Sequence, residues 1–391
     1  MTPRYSSRWP SGSASTLIPD SPQAASTASV AEPAFVASPV AAAARRSNGD
    51  ERFVTEARFY HKLSNGRVHC TLCPRECNPG DGVRGYCGVR ENRGGVLYTL
   101  VHSRVCAAHI DPVEKKPLFH YLPGTGAFSV ATAGCNVNCK FCQNWELSQA
   151  APEDAPAEFM PPEKVLNLAL QYHCPTIAFT YTEPIIASEF VVDTAELAHR
   201  NGLRTIAISN GYIHKDALEA VYGRMDAVKI DLKAFSESYY RKTVAGELKP
   251  VLETLVALAK LGKWTEIVYL LVPALNDGDE ELTALARWIK ENLGADVPLH
   301  FSQFHPDYKM LDVAVTPVPS LERAKQISDA VGLHFVYIGN VPGHPAQNTC
   351  CPQCGSMLVE RTGFEIQKML IRDGACPFCA HAIPGIWCAT T

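Results

Sequence analysis

With 391 residues, 46% of them hydrophobic and 19% charged, the chain can bury a large core and house two or three average domains or one large α/β barrel with attachments. Its formal charge is −4 and it has no long Lys/Arg run, so composition argues against nucleic acid and anionic membrane surfaces as partners. No stretch approaches the roughly 18 uncharged apolar residues of a membrane-spanning helix.

Residues 1–50 are rich in Ser, Ala and Pro and show neither helical nor strand periodicity. Such a segment buries too little surface to offset its ordering entropy and is expected to be disordered. It shares the Arg and Ser content of organelle transit peptides, although Asp20, Glu32, Asp50 and the many prolines weigh against that reading. The 15 cysteines gather at Cys70 to Cys87, Cys135 to Cys142 and Cys350 to Cys379. No short disulfide scaffold with a cleavable signal is evident, so metal binding in a reducing, cytoplasmic setting is expected.

Residues 51–125 read as an N-terminal Cys-rich segment. Cys70, Cys73, Cys77 and Cys87 are irregularly spaced, and the turn-rich "NPGDGVRGY" before Cys87 is long enough to bring four sulfurs together. A closed four-thiolate set suits zinc, while an auxiliary iron–sulfur cluster, able to relay electrons, accepts irregular spacing too; both stay open. "DPVEKKPLFHYLPG" carries Glu114, Lys115, Lys116 and His120 and reads as a solvated connector with snorkelling lysines, unless the lysines serve a carboxylated substrate.

From 126 to 342 the chain alternates. The runs "AFSVATA", "TIAFTYT", "LRTIAIS", "DAVKIDL", "TEIVYLLV", "PLHFSQF" and "HFVYIG" predict strands, separated by helical stretches such as "PPEKVLNLALQY". There Val165, Leu166, Ala169 and Tyr172 follow the helical period, and Pro161-Pro162 marks its start. Strand and helix repeated about six times imply an α/β fold with right-handed crossovers and a parallel sheet, open or closed as a barrel. Active sites in such folds lie beyond the carboxyl ends of the strands, where Cys135, Glu183, Asn210, Asp231, Lys233 and His305 fall. His300 and His334 sit in apolar runs and read as core histidines. Cys106, Cys174 and Cys388 have no partner spacing and read as small buried residues.

Residues 343–391 hold two Cys-Pro-x-Cys pairs, Cys351/Cys354 and Cys376/Cys379, the pattern of a zinc-ribbon-like segment with a closed four-thiolate site. Structural zinc is expected there, with rubredoxin-like iron as the minor alternative.

The loop "CNVNCKFC" differs, because it offers three cysteines, Cys135, Cys139 and Cys142. Three thiolates around an iron–sulfur cube leave one iron without a protein ligand, and an open position is what catalytic metal sites keep. With Phe141 before the last cysteine, the loop resembles the signature of radical S-adenosylmethionine (radical SAM) enzymes. That resemblance implies a partial (β/α)6 TIM-like barrel with small Cys-rich metal-binding N- and C-terminal extensions. It implies a [4Fe-4S] cluster, S-adenosyl-L-methionine chelated at the open iron, and reductive cleavage to methionine and a 5′-deoxyadenosyl radical that abstracts a hydrogen atom.

"TYTEP", "SNGY", "KIDLKAF", "LLVPALND" and "FSQFHPDYKM" are similar to the branch containing pyruvate formate-lyase activating enzyme. By that match Glu183 receives the cofactor's amino group, and Ser209, Asn210, Asp231 and Lys233 border its ribose and carboxylate. His305 lies near ribose or adenine. Tyr181 and Thr182 stand where that branch has two glycines. From about Val68 to Trp387 the chain also resembles the radical SAM enzyme of the AmmeMemoRadiSam group, through "CTLCPRECNPGDGVRGYCGVR", "DPVEKKPLFHYLPG", "FCQNWELSQ", "GNVPGHPAQNT" and "CPFCAHAIPGIW".

The implied partners are a one-electron donor such as flavodoxin or ferredoxin and, on the activating-enzyme resemblance, a polypeptide substrate. Activation of a glycyl-radical enzyme is one alternative. A zinc-ribbon protein or nucleic-acid binding module with an inactive barrel is an alternative of a different class.

Overall fold

The computed structural model describes residues 50–387. The expected disordered leader, up to residue 49, and Cys388 lie outside the described residues.

Near the start of the described residues, after a short helical turn (Glu51–Phe53) and the two-residue strand Thr55–Glu56, stand two antiparallel hairpins. β1 (Tyr60–Lys62) pairs with β2 (Val68–Cys70), and β3 (Arg90–Arg93) with β4 (Val96–Thr99). The second turns through Gly94 and Gly95, both at positive φ (61° and 82°), as a tight hairpin matching the strand twist requires. Buried Val68, Leu72, Val89 and Leu97 join the same apolar core as the central sheet.

That sheet starts with β5 (Ala107–Pro112), antiparallel to β6 (Gly126–Ala131). β7 (Thr176–Phe179), β8 (Arg204–Ser209), β9 (Ala227–Asp231), β10 (Trp264–Leu271), β11 (Leu299–Gln303) and β12 (Val336–Gly339) follow in spatial order, each parallel to the one before. Each parallel step is bridged by one long helix, in places beside a shorter helical turn: α1 (Pro162–Gln171), α2 (Ser188–Arg200), α3 (Lys215–Tyr222), α4 (Leu248–Lys260), α5 (Asp279–Asn292) and α6 (Val318–Val331). Six strand–helix units therefore end on a seventh parallel strand, and the sheet stays open between β5 and β12.

The local causes are visible in the sequence. All four residues of β7 are buried, because helices cover one face and the barrel interior the other. In α1, Pro162 occupies the first turn, where its missing N–H costs nothing, and Val165, Leu166 and Ala169 form the buried stripe. Each fully buried side chain of the size of Phe128, Ile177 or Leu271 contributes about 1.5–3 kcal/mol.

After β12, a small sheet of β13 (Thr349–Cys350), β14 (Met357–Thr362) and β15 (Glu365–Met369) packs on the barrel through Phe119, Phe335, Tyr337, Leu358 and Ile383. A hydrogen-bond chain reinforces this contact. Arg361 donates to Thr349 Oγ1 (2.9 Å), which lies 2.9 Å from the Tyr337 hydroxyl, itself 2.6 Å from His120 Nε2. His120 Nδ1 reaches the Pro384 carbonyl at 2.7 Å, and burial pulls the ring's pKa down to about 4, so the imidazole is neutral.

The connector ahead of β6 departs from the solvated reading. Glu114, Lys116 and His120 are all buried and only Lys115 is exposed, since Asp111, Gly124 and Tyr337 supply their polar partners. His300 lies in the core, bonded to Glu266 at 2.7 Å, whereas His334 is exposed beside Asp296, outside the core expected for it. Cys106 and Cys174 are buried as expected. Among the described residues no helix is long and apolar enough to cross a membrane.

Candidate active site

The three-cysteine loop leaves β6 at Ala131 and enters through Gly134, whose φ of +95° an L side chain rarely adopts. A Cβ there would stand 2.6 Å from Val89 Cγ1 and 2.8 Å from the Cys87 carbonyl oxygen, so the loop runs directly against the N-terminal cysteine segment. Backbone bonds fix its course: Asn138 N–H donates to the Val244 carbonyl (3.0 Å) and Lys140 N–H to that of Thr243 (2.9 Å), both on the π-helical turn Tyr240–Val244. Cys142 N–H closes a turn onto the Cys139 carbonyl (3.2 Å), and the Cys142 sulfur lies 3.3 Å from Ser148 Oγ. Cys139 is buried, while Cys135 and Cys142 are half-buried.

The polar residues predicted at the strand ends converge beside this loop. Glu183, after β7, accepts from Ser209 Oγ (2.7 Å) and Asn210 N–H (2.8 Å), the end of β8. Asn210 Nδ2 donates to Asn136 Oδ1 (2.9 Å) and lies 3.8 Å from the Cys135 sulfur. Burial pushes the Glu183 carboxyl up to about 7, against the pull of the Asn210 and Ser209 donors. Asp231, ending β9, binds Lys229 and Lys233, the latter at 2.9 Å; burial raises its pKa, yet the two ammonium groups bring it down to about 2. Burial opposes the Lys233 charge, but Asp231 and the Cys139 sulfur hold its pKa above the usual lysine value. A positive group thus faces the thiols. His305 lies exposed beyond β11 and makes no hydrogen bond to a described residue.

Beneath the strand ends lies a polar cluster absent from the sequence-based site. Asp111 accepts from Lys115 (2.9 Å), Lys116 (2.5 Å) and the Tyr181 hydroxyl, and Lys116 also sits 4.6 Å from the Tyr181 ring centroid. Burial lowers the Lys116 pKa to about 8, with Asp111 resisting. Lys229 was also missed, although its signal was present: Lys229 and Asp231 alternate along β9 and share one face, with Lys233 two residues past its end.

The two flanking cysteine groups differ. At the C-terminus Cys351 and Cys379 sulfurs are 3.6 Å apart and those of Cys354 and Cys376 3.7 Å, and all four ligand atoms lie within 4.8 Å of one another. This set can hold a metal ion. Among the described residues it is the only such group of three or more Cys, His, Asp or Glu. Neither Cys135/Cys139/Cys142 nor Cys70/Cys73/Cys77/Cys87 closes to that distance.

The loop thiols suit an iron–sulfur cube: their three sulfurs do not all come within 4.8 Å of one another, and a half-buried lysine and an asparagine amide lie beside them. A family model, the Radical SAM superfamily, matches residues 129–288. An uncharacterised protein of Methanocaldococcus jannaschii is 45% identical over 330 residues, covering 84% of this chain and 98% of the relative. The chain belongs to the radical SAM superfamily. This radical SAM protein is also 25% identical over 196 residues to the pyruvate formate-lyase-activating enzyme of Clostridium pasteurianum, covering 46% of the chain and 80% of the relative. To the pyruvate formate-lyase 1-activating enzyme of Escherichia coli K12 it is 22% identical over 217 residues, 51% of the chain and 87% of the relative. It is thus an enzyme of the radical SAM kind, related to glycyl-radical activating enzymes, and the family implies a [4Fe-4S] cluster and S-adenosylmethionine. The family match spans the cysteine triplet, Glu183, Ser209, Asn210, Asp231 and Lys233, and the reading as an inactive binding module is not favoured.

Proposed function

We propose that Cys135, Cys139 and Cys142 hold the [4Fe-4S] cluster and that Glu183, Ser209, Asn210, Asp231, Lys233 and His305 seat S-adenosylmethionine for radical hydrogen abstraction from a polypeptide. The observation that carries this reading is the meeting of three widely spaced thiols with Asn210 and Lys233 at the carboxyl ends of the parallel strands. Held there, a reduced cluster would supply one electron to the sulfonium of S-adenosylmethionine, whose carbon–sulfur bond would break to methionine and a 5′-deoxyadenosyl radical able to take a hydrogen atom from the substrate. The chain's own groups do the positioning. Glu183 fixes Ser209 and Asn210, and Asn210 in turn orients Asn136 next to Cys135. Asp231 holds Lys233 in place, and the Lys233 charge offsets the negative charge of the thiolate-bound cluster.

The C-terminal quartet takes zinc in this reading, because its sulfur separations match a tetrahedral ion with Zn–S of about 2.3 Å. The electron comes from a donor such as flavodoxin or ferredoxin. Resemblance over most of the chain supports the AmmeMemoRadiSam group, and the activating-enzyme relatives support a polypeptide substrate.

Anaerobically reconstituted protein with a strong reductant is expected to convert S-adenosylmethionine to 5′-deoxyadenosine, and Cys139→Ala to abolish this. Cluster-bearing protein that yields no 5′-deoxyadenosine under any reductant refutes the reading.

A further inference from the structure

We infer that Cys70, Cys73, Cys77 and Cys87 bind a second iron–sulfur cluster of cubane size, closed by four protein thiolates, and not a zinc ion. Sulfur spacing carries the argument. Around one tetrahedral zinc, sulfurs sit about 3.8 Å apart, given Zn–S of about 2.3 Å. The C-terminal quartet shows this spacing, at 3.6 and 3.7 Å. In the N-terminal quartet no three sulfurs come within 4.8 Å of one another, a trait shared with the catalytic triplet.

The four thiols instead line one common cavity, standing apart around it. A single ion draws its ligands into mutual contact, whereas a cube of iron and sulfide holds its thiolates apart around a shared centre.

Two donors fit the sulfur surface of that cube. Tyr86 N–H already lies 3.4 Å from the Cys77 sulfur. Arg90, a lining residue only 2% exposed, spends its terminal nitrogens on Glu189, Ser188 and backbone carbonyls, yet its Nε is buried without a partner among the described residues. An orphaned charged donor near the Cys70 and Cys87 sulfurs is relieved by a sulfur acceptor. The site also touches the catalytic loop. The Cys87 carbonyl packs on Gly134, and Arg75, between Cys73 and Cys77, donates to the Asn136 carbonyl at 3.0 Å. That is the position an electron relay needs.

The test uses the full chain carrying Cys135→Ala, Cys139→Ala and Cys142→Ala together, which leaves the N-terminal quartet untouched. After anaerobic reconstitution with iron and sulfide, this variant is expected to keep about four iron and four acid-labile sulfide per chain, as one [4Fe-4S] cluster holds, and the wild type about twice that. Adding Cys73→Ala and Cys77→Ala removes the remaining sulfide, while metal retained at the C-terminal quartet and an unchanged circular dichroism spectrum report a folded chain. Iron captured by the C-terminal quartet carries no sulfide and is thereby distinguished. A triple variant without acid-labile sulfide, whether it binds zinc at the N-terminal quartet or nothing, overturns the inference. Because that variant lacks the catalytic cysteines, its metal content is independent of the 5′-deoxyadenosine assay.

Discussion

Gly134→Ala probes the point where the N-terminal segment meets the catalytic loop. The backbone there has φ +95°, and left-handed backbone costs an L side chain about 1–2 kcal/mol. The new methyl would stand 2.6 Å from Val89 Cγ1, 2.8 Å from the Cys87 carbonyl oxygen and 3.1 Å from Ile186 Cδ1. Val89 and Ile186 are buried and the carbonyl is backbone, so none can swing into solvent, and overpacking adds about 1–3 kcal/mol. The expected loss is therefore about 2–5 kcal/mol, the sum of these two effects. Gly202→Ala is the control, because Gly202 has φ +76° but nothing within 4 Å of a new methyl and bears only the backbone cost. Urea unfolding at matched metal content, followed by tryptophan fluorescence, measures both. If Gly134→Ala destabilises no more than Gly202→Ala, the tight contact between Cys87 and the catalytic loop is refuted.

Burial pushes the Glu114 carboxyl from its ordinary value of 4.5 up to about 7, with Arg361 and the Gly124 N–H opposing and Glu266 adding to the rise. The folded chain thus keeps that proton to higher pH than the unfolded chain. The resulting destabilisation is absent below about pH 4.5, grows as pH rises and levels near 7 at about 3 kcal/mol. Glu114→Gln should therefore gain stability relative to the wild type across that window, and parallel stability–pH curves would contradict this. Glu183→Gln keeps the size but replaces a carboxylate that accepts from Ser209 and Asn210. Losing bonds to a charged acceptor, about 1.5–3 kcal/mol, predicts 5′-deoxyadenosine formation lower by one to two orders of magnitude, read by chromatography at matched iron content. Asp231→Asn leaves buried Lys229 without its counter-charge and is expected to cost about 3–5 kcal/mol in urea unfolding, far more than removing the exposed Arg52–Asp50 pair. Cys376→Ser should release the C-terminal metal and expose the Phe119, Phe335 and Leu358 contact, seen as increased protease cleavage after β12; unchanged metal content and cleavage would remove the quartet from that role.

The parallel strands were legible because burial on both faces selects unbroken β-branched and aromatic runs, as in "TIAF" and "RTIAIS". β5 was not: "AAHIDP" has one β-branched residue and pairs only on one side, so its position at the sheet edge comes from β6 rather than from its own composition. The buried connector was illegible for a related reason. Lys116 is tolerated inside because Asp111 and the Tyr181 ring meet it there, and nothing local announces those partners. His300 and His334 show the same limit, since both sit in apolar runs and only the neighbouring strand, which supplies Glu266 to one, separates core from surface. The cysteines carry the point furthest. Spacing along the chain identified three groups of thiols, but sulfur separation decides between one ion and a cube. That separation depends on how hairpins and loops pack: the C-terminal segment lets its pairs close to 3.6 and 3.7 Å, while Arg90, Leu97 and Ile186 line the cavity around which the N-terminal thiols stay apart. Two quartets with the same four side chains thereby differ in sulfur separation, the quantity on which the proposed difference in their metals rests.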